Sequence, residues 1–276
     1  MRFVAPVREA VDPTVFARPP LSQWREFGVL DTAAWPSVDT LNALAENPRG
    51  STLAGIPRFV AQTPELLADG LHYEQRIAER GQIATRERNW HDLLNALIWV
   101  RFPALKAALN ERQVEEIAQV GTRQRSRVQC ALTHFDEAGV IVLLQDPALL
   151  PLWDAHDWHG LFWRERNAWH DGRIQAIVFG HALLEHALKP GQLLVGKALG
   201  VVVGKNAKVE EAAIRRVVRG IRSGDLLNDP QDQRPLPLSG IPGWESGNDN
   251  ESFYREAPCF RPLRAGRRYP DLVRAG

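Results

Sequence analysis

A polar run directly precedes a strongly apolar segment in the string RERNWHDLLNALIWV. A helix would place His91 and Asn95, four residues apart, on one face, where polar groups need partners or a ligand. His91 also falls in the first helical turn, where free N–H groups favour an anion. Asn89 followed by Asp92 resembles a capping box, which gives Asp92 a purely structural alternative. His91 also has a purely structural alternative, as a buried residue whose ring is hydrogen-bonded.

The motif GHALLE places His181 and Glu185 four residues apart. On a helix both side chains project from the same face, a spacing that can offer a nitrogen and an oxygen to one metal ion. The same spacing also gives a weak surface His–Glu pair without any further role. The apolar neighbours Ile177, Leu184 and Leu188 indicate that His181 is half-buried.

Two adjacent carboxylates, Asp136 and Glu137, stand in the string FDEAG. Apolar runs around Leu132–Phe135 and Val140–Leu144 flank this string, so we expect a β-hairpin with the carboxylates at its turn. There Asp136 could act as a ligand or a general base. Turn chemistry alone explains both residues equally well.

Aromatic residues crowd the region between residues 153 and 169. An aromatic belt can stack on a sugar or a base, but at helical spacing it is more often core. The belt comprises Trp153, Trp158, Phe162, Trp163 and Trp169, interleaved with His156, His159 and His170. The string GQLLVGK matches most of a phosphate-binding loop, but Ala198 replaces its Ser or Thr, so we reject nucleotide binding there. Arginines of the C-terminal segment could hold phosphate, although a solvated tail explains them as well.

Composition is that of an ordinary globular protein. The 276 residues are 44% hydrophobic and 24% charged, and 34 Lys and Arg against 33 Asp and Glu give a net charge of +1. This balance makes a nucleic-acid partner an unfavoured expectation. Cys130 and Cys259 form neither a disulfide framework nor a metal-binding pair. The charged N-terminus does not resemble a secretory signal, and the apolar stretches are too short to span a membrane. We therefore expect a cytoplasmic protein without a membrane partner.

Hydrophobic periodicity predicts an α+β fold, a mostly helical single domain with short β elements and an irregular tail. We expect a helical N-terminal extension over residues 1–55, a core domain over 56–224 and an Arg-rich tail over 225–276 that packs on the core. Helices are predicted over Val38–Glu46, Trp90–Phe102, Pro103–Gln119, Ile174–Lys189 and Ala207–Arg222, with two more within Pro147–Trp169, and a buried strand is predicted over Leu193–Val203. Residues His72–Thr85 fit either a hairpin or a short helix, and we favour the hairpin.

Four strings together resemble one uncharacterised bacterial family, domain of unknown function 3025. They are TRERNWHDLLNALIWVRFPALKAALN, ALTHFDEAG, FGHALLE and FYREAPCFRPLRAGRR, and the resemblance covers about residue 55 to the C-terminus. It implies no activity or cofactor, but it places seven residues in family-like motifs: His91, Asp92, Asn95, Asp136, Glu137, His181 and Glu185. Where the family pattern would bring a His shortly after Leu-Asn, this chain has Gln113.

The residues support two functional hypotheses. The first is a metal-dependent, hydrolase-like enzyme for a small or anionic substrate, with Zn, Fe or Mn held by His91, His181 and Glu185. Asp136 would be a further ligand or the general base, and Arg86 would hold an anionic part of the substrate. A separation of His91 and His181 above about 10 Å would exclude such a site. The second hypothesis is a non-catalytic binding or scaffold protein with Trp-rich and Arg-rich surfaces, which requires exposed Trp rings.

Overall fold

Helices make up about half of the chain, and short strands form two sheets. The computed structural model describes residues 3–46, 56–121, 124–205 and 208–275. Its helices are Val38–Glu46 (α1), Pro64–Leu67 (α2), Tyr73–Arg80 (α3), Trp90–Arg101 (α4), Pro103–Val120 (α5), Arg127–Ala138 (α6), Leu150–Asp154 (α7), Arg166–His170 (α8), His181–His186 (α9), Val209–Arg222 (α10) and Phe253–Glu256 (α11). The strands are Arg58–Ala61 (β1), Gln82–Thr85 (β2), Gly139–Leu144 (β3), Ile174–Val178 (β4), Val195–Val202 (β5), Arg234–Pro237 (β6) and Val273–Arg274 (β7). The predicted α+β class is confirmed.

The larger sheet is built around β3. Its strand order is β4-β3-β5-β6, with β7 paired to β5, and β3 runs antiparallel to β4 and parallel to β5. All six residues of β3, GVIVLL, are buried, as the continuous apolar run of a strand covered on both faces requires. The strands β1 and β2 form a separate parallel pair.

Two long helices follow the sequence signals closely. Asn89 caps α4 by accepting a hydrogen bond from the backbone N–H of Asp92, and eight residues of the helix are buried. Pro103 then opens α5, where its missing N–H costs nothing. The predictions for α1, α4, α5, β5 and α10 are confirmed within a few residues, while Ala207, the predicted start of the last helix, lies outside the described residues.

Both predicted hairpins are wrong. Residues 73–85 form helix α3 and strand β2, because Gly81 ends the helix in a left-handed conformation (φ 61°) and β2 finds its partner upstream in β1. Residues 127–144 form helix α6 followed directly by β3. A reciprocal capping box between Ser126 and Gln129 begins α6, and the helix buries Leu132 and Phe135 on one face. Asp136 and Glu137 therefore lie at the end of a helix instead of in a turn.

The helix predicted over Ile174–Lys189 is also wrong in its first half. Ile174–Val178 pairs residue by residue with β3, so it is strand β4, and only His181–His186 is helical. The aromatic region contains the two predicted helices, α7 and α8, and a π-helical turn at Gly160–Arg164 lies between them.

One continuous apolar cluster holds these elements together. It includes Trp24 near the N-terminus, the helix α4, strand β3 and Tyr254 of the C-terminal segment, and Phe253 and Phe260 pack against it. Among the described residues, no helix combines the length and the apolar character that crossing a membrane requires.

Candidate functional site

The topology of the larger sheet brings the ends of two helices together. Helix α6 leads straight into β3, and β4 pairs antiparallel with β3, so that Val178 lies opposite Val140. Helix α9, which begins just after β4, therefore starts beside the end of α6. Gly180 sits at this junction, where an added Cβ would lie 2.5 Å from Ala138 Cα, the carbonyl oxygen of Glu137 and the amide nitrogen of Gly139. Only a glycine allows this approach, which places His181 next to Asp136.

Two histidines from different helices face each other at this junction. His91, in the first turn of α4, has its Nε2 3.0 Å from Nε2 of His181, and the two rings are nearly perpendicular at 84°. On its other side, Nδ1 of His91 lies 3.2 Å from Oε2 of Glu185. The order is therefore Glu185, His91, His181, a chain of hydrogen bonds in which His91 occupies the middle position.

A buried lysine links the other polar residues. Nζ of Lys106, on α5, donates to Oδ1 of Asp136 at 2.6 Å and to Oδ1 of Asn95 at 2.9 Å. Asn95 in turn donates to the hydroxyl oxygen of Tyr73 at 3.0 Å. The Lys106 side chain is only 5% exposed, so its charge is balanced by the Asp136 carboxylate and not by water. Asp136 also lies 3.9 Å from Nδ1 of His181.

Burial sets the protonation of these groups. It lowers the pKa of His181 to about 3, so the ring is neutral at neutral pH. For Asp136, burial is the largest single influence and acts to raise the pKa, but the charge and hydrogen bond of Lys106 together with the neighbouring His181 and His91 outweigh it, so the pKa is lowered. Burial raises the pKa of Glu74 against the opposing charge of Lys106, and it raises the pKa of the Tyr73 hydroxyl. The site thus combines a neutral imidazole, an ionised carboxylate and a buried cation.

These side chains line a polar cavity of about 340 Å³. Two buried polar atoms of cavity-lining residues, Nε1 of Trp99 and Nδ1 of His181, make no hydrogen bond within the part of the chain that the structure describes. Such atoms are rare in folded proteins, and here both belong to side chains that line the cavity.

Arg86 and Asp92 form one ion pair at the same cavity. The Asp92 carboxylate accepts from the Arg86 guanidinium at 2.7 and 3.0 Å and from the Arg86 backbone N–H at 2.6 Å. Asn89 alone caps the helix, so the Asp92 side chain serves Arg86 and does not complete a capping box. Glu137 lines the cavity as an exposed residue. The seven residues of the family-like motifs and Arg86 therefore all lie at or beside this cavity. They are Arg86, His91, Asp92, Asn95, Asp136, Glu137, His181 and Glu185.

The arrangement of the three predicted metal ligands is a chain. His181 faces Nε2 of His91, whereas Glu185 faces Nδ1 on the other side of that ring. Within the part of the chain that the structure describes, no three His, Cys, Asp or Glu side chains are grouped so that they could hold a metal ion. A metal site with these ligands stays a prediction.

The tryptophans are not displayed on the surface. Trp153 and Trp158 are buried, and Trp163 and Trp169 are half-buried against the core. His156 and His159 have separate partners, since His156 contacts Tyr269 and His159 contacts Glu251.

The sequence did not predict three residues of the site, which are Lys106, Tyr73 and Glu74. A signal for the lysine was present, because Lys106, Asn110 and Gln113 follow each other at spacings of four and three residues on α5, the spacing of a single helical face. Asn110 donates to Oε2 of Glu74 at 2.6 Å. Gln113 also lines the cavity.

Fold and site together define an α+β protein with a polar, histidine-containing cavity between helices α4, α5, α6 and α9. A family model described as a protein of unknown function, DUF3025, matches residues 57–264. The match covers most of the chain, which therefore belongs to this family. Comparisons with curated proteins and with solved structures found no match.

Proposed function

We propose that this protein is an enzyme that hydrolyses a small polar substrate by general acid–base catalysis in the cavity. The observation that carries the proposal is the position of His91, hydrogen-bonded between the Glu185 carboxylate and the neutral ring of His181. Proton transfer by a positioned histidine is the commonest form of such catalysis.

Both ring nitrogens of His91 have a hydrogen-bond partner. When its ring is protonated, both nitrogens donate hydrogen bonds, one to Glu185 and one to Nε2 of His181. When the Nε2 proton of His91 passes to the substrate, the hydrogen bond to Nε2 of His181 is lost, while Glu185 still accepts from the Nδ1–H of His91. The His91 side chain is 36% exposed, whereas that of His181 is 5% exposed. His91 is therefore the ring that solvent or substrate can reach, and His181 is its fixed partner.

The remaining polar groups are suited to hold the substrate. Lys106 uses two of its three N–H bonds on Asn95 and Asp136, and the third can donate to a carbonyl or carboxylate oxygen. Trp99 Nε1 offers another buried donor. Arg86, half exposed beside Asp92, would meet an anionic part of the substrate at the edge of the cavity.

A divalent metal ion, Zn, Fe or Mn, remains part of the hypothesis. The Nε2 atoms of His91 and His181 are the nitrogens that such an ion would take, and a carboxylate on the opposite nitrogen is the usual outer partner of a metal-bound histidine. Glu185 would then orient His91 instead of binding the ion itself. When bound, the ion would make its water acidic enough to attack at neutral pH.

A cytoplasmic location is also proposed, because Cys130 and Cys259 are free thiols. The competing hypothesis of a Trp-rich binding surface receives less support, since the Trp rings are buried or half-buried.

The proposal is tested by comparing the wild type with His91→Gln and with His170→Gln, a control at an exposed histidine of α8. Each protein is assayed against chromogenic esters, phosphate esters, glycosides and anilides. We expect hydrolysis of one class that falls by about 100-fold or more in His91→Gln and is unchanged in the control. Equal activity in all three proteins, or hydrolysis of none of the classes, would contradict the proposal.

Metal content, measured by mass spectrometry on the wild type and His181→Ala, separates the two forms of the mechanism. Near-stoichiometric metal that is lost in His181→Ala favours the metal-dependent form. Activity without bound metal favours proton transfer by the side chains alone.

A further inference from the structure

A second concave site lies away from the cavity, between strands β5 and β6 and the C-terminal segment. This basic groove, lined by residues of β5 and β6 together with residues 258–269, has a volume of about 1140 Å³. Its cationic residues are Lys197, Arg261, Arg264, Arg267 and Arg268. No Asp or Glu is among the described residues that line it. A chain with a net charge of only +1 thus concentrates positive charge in one concave place.

Most of these cations have no partner of their own. Among the described residues, the side chains of Lys197, Arg261, Arg264 and Arg268 form no ion pair or hydrogen bond, and the three arginines are exposed. Arg234 of β6, which lies between the lining residues Gln233 and Pro235, is by contrast paired with Asp154. Like charges held close together in a concavity attract an anionic ligand more strongly than scattered charges do.

We propose that the basic groove binds an acidic, extended peptide segment of a partner protein. Arginine predominates over lysine in the groove, and its planar guanidinium group recognises carboxylates with two parallel hydrogen bonds. Apolar residues also line the groove, among them Leu193 and Val195, and Val195 is 36% exposed. Pro258 and Pro262 line the same groove. A peptide with alternating carboxylate and apolar side chains satisfies both features at once.

The aromatic residues of the groove argue against single-stranded nucleic acid as the occupant. Binding of that kind relies on open aromatic faces on which bases stack. The ring of Tyr269 is already covered. Its centroid lies 5.9 Å from that of the stacked His156 ring and 4.6 Å from Cζ of Arg267. Trp158 is only 4% exposed. The concave shape likewise suits a chain better than a membrane surface.

The test is fluorescence anisotropy with three labelled probes on the full-length protein. The first is a twelve-residue peptide in which glutamate and leucine alternate, the second has glutamine in place of glutamate, and the third is a twelve-nucleotide oligo(dT). The proteins are the wild type, Arg264→Glu/Arg268→Glu, and a control variant, Arg58→Glu/Arg80→Glu, which reverses two exposed arginines on β1 and α3. Thermal unfolding checks that each variant is folded.

We expect the glutamate peptide to bind the wild type and the control alike, and to bind Arg264→Glu/Arg268→Glu about tenfold more weakly or worse. The glutamine peptide should not bind. The proposal is overturned if the glutamate peptide fails to bind, if both double variants weaken it equally, or if oligo(dT) binds more tightly than the peptide. Because no residue of the cavity is changed, the result is independent of the proposed hydrolysis.

Discussion

Replacing Lys106 with methionine should destabilise the protein through the charge it leaves behind. Methionine keeps most of the aliphatic stem, so packing changes little, but the Asp136 carboxylate loses the ammonium group 2.6 Å away. Removing one partner of a buried ion pair costs about 3–5 kcal/mol. The Asp136 side chain retains 24% exposure, and water will screen part of its charge, so we expect a loss of about 2–3 kcal/mol in the free energy of unfolding.

The loss should depend on pH in a defined direction. In the wild type the pKa of Asp136 is lowered, so the stabilisation it contributes is present above the ordinary aspartate pKa and is lost at lower pH. Without Lys106, burial is unopposed by that charge and acts to raise the pKa of Asp136. As the pH falls, protonation of Asp136 removes the unpaired buried charge, and the free energy of unfolding of the variant recovers. The difference between wild type and Lys106→Met should therefore be larger at pH 7 than at about pH 4.5.

Urea unfolding followed by tryptophan fluorescence measures both effects. The set of proteins is the wild type, Lys106→Met, Asp136→Asn, the double variant, and Lys205→Met as a control at an exposed lysine. The double variant should be more stable than the sum of the single losses predicts, because it leaves no unpaired charge. The reasoning is refuted if the loss in Lys106→Met is the same at both pH values, or if the coupling between the two sites is below about 0.5 kcal/mol.

Three further outcomes are expected from urea unfolding. Gly180→Ala should lose about 1–3 kcal/mol because its Cβ would meet the backbone of residues 137–139, and Gly204→Ala, where the added Cβ meets nothing within 4 Å, should not; equal losses would count against the junction described above. Because the folded pKa of His181 is about 3, wild-type stability should fall as the pH drops below about 6.5, and His181→Asn should reduce that slope by about 1.4 kcal/mol per pH unit; an unchanged slope would mean that His181 is not buried in its neutral form. Asn89→Ala should cost about 1 kcal/mol through loss of the α4 cap, and no loss would show that another group caps this helix.

The polar residues of the cavity could be selected from the sequence because they stand where polar side chains are costly. His91 and Asn95 interrupt an otherwise apolar helix, and His181 lies beside an apolar stripe. Lys106 was missed, since a lysine on a helix is usually solvated and its burial depends on the Asp136 carboxylate of another helix. The chain order of Glu185, His91 and His181 was equally beyond reach, because residue spacing does not reveal which nitrogen of a ring faces which neighbour.

Local patterns determined what local physics controls. The Asn89 cap, the position of Pro103 and the valine-rich run of β5 led to the correct elements, since caps and apolar periodicity act over a few residues. The wrong predictions concern segments whose secondary structure is decided by a partner that is distant in the sequence. Ile174–Val178 is a strand because β3 pairs with it, and Gln82–Thr85 is a strand because β1 does. The same antiparallel pairing of β3 with β4 sets the end of α6 against the start of α9, and only this long-range contact turns separate polar motifs into one site.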